Sequence, residues 1–94
     1  MNFFKNKKKN EADFYLLNKI IATLGENRSY KITNVSPSFA REIKRFYKGE
    51  YFKENRTFFI NYNIGKEPTF IDVNRLEPQL AQIIAEKRIR DMYG

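Results

Sequence analysis

The apolar residues of this 94-residue chain repeat with two different periods, and that split restricts the fold more than any single motif. Phe14, Leu17, Ile21 and Leu24 recur at steps of three and four, with Ile20 widening the stripe. Such spacing builds a helix that buries one face. From Thr57 the period changes to two. Phe58, Ile60, Tyr62 and Ile64 share one side, while Thr57, Phe59, Asn61 and Asn63 share the other, as in a strand. A chain carrying both patterns has to pack a helical layer on a sheet.

The residues between these runs set the expected boundaries. Asn10 is a suitable N-cap for the first helix, with Glu11 and Asp13 in its first turn, where the helix dipole favours anions. Gly25 stands where a left-handed C-terminal residue belongs. Tyr30 to Val35 predicts a short strand. Ser36 then caps a second helix with Pro37 at its first position, where a missing N–H costs nothing. Phe39, Ile43, Phe46 and Tyr47 form its expected buried face, and Gly49 its stop. Gly65-Lys66-Glu67 predicts a turn that returns Thr69 to Val73 beside the strand from Thr57, with Pro68 at the edge or in the loop. The last helix is expected from near Asn74, with Glu77 three residues on and Pro78 early. It carries Leu76, Leu80, Ile83, Ile84, Ile89 and Met92 and should extend roughly 28 Å.

The expected fold class is therefore α+β: a small antiparallel or mixed sheet of about three strands covered by helices. Its order is helix, strand, helix, hairpin, long C-terminal helix. Residues 1–9 read as a flexible basic arm and residues 10–94 as a single compact domain, a size that supports one modest core.

The chain has no Cys and no His. That excludes disulfides, thiol and imidazole chemistry, and nearly every usual zinc site. Its four glycines stand far apart, so no glycine-rich phosphate loop exists. The carboxylate pairs Glu50 with Glu54 and Asp72 with Glu77 match no nuclease pattern and read as solvated charge. No catalytic residue, metal or cofactor is expected. No run of 18 apolar residues is present to form a transmembrane segment, and Phe3 and Phe4 are too brief for the apolar core of a signal peptide. A cytoplasmic location is the expectation.

Net charge is +7 and it is segregated. Residues 1–9 hold +4 and residues 28–56 hold +5, whereas residues 10–27 and 57–86 each come to −2. Segregation of this kind is an electrostatic footprint for an anionic partner. Phe46, Tyr47, Tyr51 and Phe52 are threaded among the cations of the central block, and flat rings offer faces on which bases stack. The expected nucleic-acid-binding residues are Lys5, Lys7, Lys8 and Lys9 of the arm, Arg41, Lys44, Arg45 and Lys48 of the second helix, and Lys53, Arg56 and Lys66. They are expected to converge on one electropositive surface. Phe59, opposite the apolar side of its strand, is either a stacking ring or the base of a second layer. Tyr51 and Phe52, beside Lys53, form either a stacking edge or a plug in the gap between helix and hairpin.

The leading expectation is a small, non-enzymatic DNA-binding protein, a regulator or accessory factor, with DNA ranked ahead of RNA. The Lys- and Asn-rich composition suggests an AT-rich source such as a phage or mobile element. The alternative is a protein-interaction module that docks its basic aromatic face on an acidic partner. The broad apolar stripe of the last helix suggests a homodimer.

Overall fold

The structure, a computed structural model, describes residues 3–93, with side chains from Lys8 onward. Helix α1 spans Phe3–Leu24 and therefore starts seven residues before the expected cap at Asn10. The segment expected as an arm is helical from residue 3. No Gly or Pro interrupts the run, lysine is a good helix former, and Lys9 pairs with Asp13 one turn on, at 2.8 Å. Asn10 is not a cap: its side-chain amide donates to Ser38 Oγ at 3.0 Å. The C-terminus falls as expected, with Gly25 at φ 127° and its N–H donating to the Ile21 carbonyl.

Strand β1 is Tyr30–Thr33 and helix α2 is Pro37–Phe46. Ser36 caps α2, its hydroxyl accepting from the Phe39 N–H at 3.2 Å. Strands β2, Gly49–Phe52, and β3, Thr57–Ile60, form an antiparallel hairpin. Its connection is a 3₁₀ turn, Lys53–Asn55, closed by a left-handed Arg56. Strand β4 is Thr69–Asp72, and helix α3 runs Leu76–Tyr93. The class and the order of elements match expectation, but the sheet has four strands, in the order β2-β3-β1-β4.

The hairpin expected between residues 57–64 and 69–73 does not form. Strand β4 pairs in parallel with β1, in the register Tyr30↔Thr69 to Thr33↔Asp72, and β1 separates it from β3. The chain leaves β3 at Asn61, which takes a left-handed φ of 52°. Its amide donates to the carbonyls of Glu26 and Arg28 at 2.8 and 3.2 Å. Strand β3 ends at Ile60, and residues 61–68 pass the start of β1 and deliver β4 to its far side. Tyr62 and Ile64, expected on the buried side of a longer strand, are exposed.

Because β3 runs antiparallel to both β1 and β2, the latter two are mutually parallel, joined by α2 with β3 inserted between them. This is a split β-α-β unit. One side of the sheet is sealed. Tyr30, Ile32, Phe58, Ile60 and Ile71 meet Leu17, Ile20 and Ile21 of α1, Phe39, Ala40 and Ile43 of α2, and Leu76 and Leu80 of α3. Phe46, expected in this core, is exposed and leans on the Phe14 ring at 5.1 Å. Tyr47 closes that corner instead, with its hydroxyl donating to Asn18 Oδ1. Burial raises the pKa of the Tyr47 hydroxyl. Only the first half of α3 joins the core; Ile84, Ile89 and Met92 stay exposed. Among the described residues, no helix is long and apolar enough to cross a membrane.

Candidate nucleic-acid interface

Burying Phe39, Ala40 and Ile43 turns the rest of α2 outward. Arg41, Lys44 and Arg45 recur at helical spacing on that exposed surface, and none has an ion-pair partner among the described residues. Lys44 and Arg45 lie in the last turn, where cations complement the dipole. Helix α1 runs alongside in the same direction: Asn10 meets Ser38, Phe14 meets Phe39 and Phe46, and Asn18 meets Tyr47. The exposed Lys8 and Lys9 therefore belong to the same helical layer as the α2 cations. Lys5 and Lys7 have side chains outside the described residues.

The remaining expected cations divide between the two ends of the sheet. Arg56 joins Lys9 in one polar groove with Asn34, Ser36, Ser38 and Asn74, at the end of the sheet where α2 begins. Lys53 sits in the 3₁₀ turn at that end. Lys48 and Lys66 lie at the other end, Lys48 before the residue paired with Ile60 and Lys66 in the 61–68 loop. The structure thus places Arg41, Lys44, Arg45, Lys8 and Lys9 on the helical layer, Arg56 beside Lys9 with Lys53 at that same end, and Lys48 and Lys66 at the other end. The expected cations fall at both ends of the sheet as well as on the helical layer. The strand directions explain this: residues before and after a strand are set one strand length apart.

The side of the sheet facing away from the helices carries a second constellation. Cross-strand register aligns Glu50, Phe59, Lys31 and Phe70 in one row across all four strands. The Lys31 ammonium lies 5.4 Å from the Phe70 ring centroid and 5.9 Å from that of Phe59, within cation–π range. Phe59 is flanked edge-on by Phe52 at 5.5 Å and Tyr62 at 5.1 Å. Phe52, Tyr62 and Phe70 are 43, 53 and 58% exposed. No second layer covers this face among the described residues, so Phe59 is walled by neighbouring rings but not roofed. Phe52, Phe59 and Tyr62, with Lys48, Gly49, Glu50 and Asn61, line an open groove of about 610 Å³.

Of the expected stacking edge, Phe52 faces outward. Tyr51 turns inward and its hydroxyl donates to the Val35 carbonyl at 2.7 Å. Lys31 and Phe70 were not among the expected site residues, although alternation marks both: Tyr30 and Ile32 point into the core, so Lys31 points out, and Ile71 does the same for Phe70.

Of the carboxylates singled out above, Asp72 serves structure. Asp72 Oδ1 accepts from the Asn34 amide at 2.8 Å and from the Asn74 N–H at 2.9 Å. These bonds, led by that of Asn34, hold its pKa below the ordinary 3.8. Among the described residues no three carboxylates gather as a metal-binding set. Comparison with protein-family models, with curated proteins and with solved structures finds no match to this chain.

Proposed function

We propose that this is a small, non-enzymatic nucleic-acid-binding protein whose affinity comes mainly from phosphate contacts of the helical layer. The observation that carries this reading is the unpaired, exposed set Arg41, Lys44 and Arg45 on α2. Cations held by internal ion pairs would have to break them before meeting phosphate, and these three do not. Lys8 and Lys9 extend the same layer along α1, although Lys9 must first leave Asp13. Duplex DNA is the favoured form for this surface, since phosphate attraction needs no base recognition and a rigid helix presents its cations as one unit.

The test is duplex binding by polarisation across a salt series, for the wild type and the variant Arg41→Ala/Lys44→Ala/Arg45→Ala. The variant should lose affinity about tenfold or more at low salt. Its salt slope should flatten by about 2 to 3, near 0.9 for each duplex phosphate released. Equal affinity and slope in the two proteins would defeat the reading.

A further inference from the structure

The open side of the sheet calls for a different ligand from the one suited to α2. Its exposed apolar area is built from rings: Phe52, Phe59, Tyr62 and Phe70, with no Leu, Ile, Val or Met among them. Exposed aliphatic side chains lie elsewhere, at Ile64 on the 61–68 loop and at Ile84, Ile89 and Met92 on α3. Rings alternating with a cation fit planar, electron-rich groups attached to anions.

The charges around the face agree. Lys31 is central, Lys48 borders the groove at Phe52, Phe59 and Tyr62, and Arg75 borders a second open groove beside Phe70. Opposing them are Glu50, at the β2 end of the row, and Asp72, whose carboxylate is already engaged by Asn34 and Asn74. The row crosses three inter-strand gaps, about 14 Å at the usual spacing of roughly 4.8 Å. That length accommodates the two or three stacked bases that an aromatic four-stranded sheet can hold.

We infer that this face is a stacking platform for single-stranded nucleic acid, with bases on Phe59 and Phe70 and phosphates drawn to Lys31, Lys48 and Arg75. The inference rests on the nucleic-acid reading above and adds to it the strand form recognised. Duplex cannot use the platform, because its bases are already stacked on one another. Two surfaces on opposite sides of the molecule then take two forms of one polymer.

The experiment measures polarisation of labelled oligothymidine and of a duplex of equal length with three proteins: wild type, Phe59→Ala/Phe70→Ala, and the triple α2 variant. The ring variant should lose about tenfold or more on the single strand, since each stacked base is worth about 5- to 150-fold, and should keep its duplex affinity. The chain has no Trp, so Phe70→Trp supplies a single reporter whose emission should be quenched by oligothymidine. Unchanged single-strand affinity in the ring variant, or an unquenched Trp, would overturn the platform. If the α2 variant alone still weakened duplex binding, the helical surface would survive that result. Wild-type protein that bound neither polymer would overturn both.

Discussion

Asp72 links three segments through one carboxylate: the Asn34 turn after β1, the end of β4, and the Asn74 N–H at the entry to α3. Since its folded pKa lies below 3.8, it stabilises the fold fully above that value and loses this contribution as pH falls through the folded pKa. Urea midpoints measured at neutral pH and in acid should therefore diverge, and Asp72→Asn should narrow the gap. A variant as acid-sensitive as the wild type would contradict the assignment. Gly49 shows a steric requirement instead. A Cβ there would lie 2.1 Å from the Phe59 carbonyl oxygen and 2.6 Å from the Phe58 ring, and the former is backbone with nowhere to move. Gly49→Ala should cost about 2 to 3 kcal/mol in chemical denaturation, with the β2–β3 pairing lost first. The glycine reads locally as a helix stop, yet its demand comes from the neighbouring strand.

At the scale of elements, what was legible depended on whether the determining contacts are local. The α2 start follows from Ser36 and Pro37, and the α1 stop from Gly25, because capping is settled within a few residues. Strand β2 escaped notice because four residues directly after a helix give alternation too little room, with only Tyr51 facing inward. The pairing of β4 with β1 is a long-range outcome, and the amide of Asn61 reaching back across 35 positions to Glu26 is one of the distant contacts that accompany it. Strand β4 also lies at the rim of the sheet, where its backbone would be open. The Gln79 side chain of α3 fills that place: Nε2 donates to the Phe70 carbonyl at 2.7 Å, and Oε1 accepts from the Asp72 N–H at 3.3 Å. Gln79→Ala should lower stability by about 1 to 2 kcal/mol for the two bonds, and hydrogen exchange at the Asp72 amide should quicken. Protection equal to the wild type would show that the amide does not guard this strand.

The whole molecule is a two-layer body, about 50 × 32 × 20 Å, with charge on the helical side and rings on the sheet side. Arg41, Lys44 and Arg45 could be named from the sequence because a basic helix face is a local pattern. Phe59 was visible as a ring on the wrong side of its strand, but whether anything roofed it depended on where three helices went. Lys31 and Phe70 acquired meaning only once register set them in one row with Phe59. The amide bracket from Gln79 has a further outcome for solutions crowded with this protein. Among the described residues β2 has no comparable guard, so one margin of the sheet is shut and the other is open. Copies that join margin to margin can do so once, β2 against β2, and the resulting pair offers no free margin to a third. A pair joined in that way would leave no margin on which open-ended, fibril-like growth could continue.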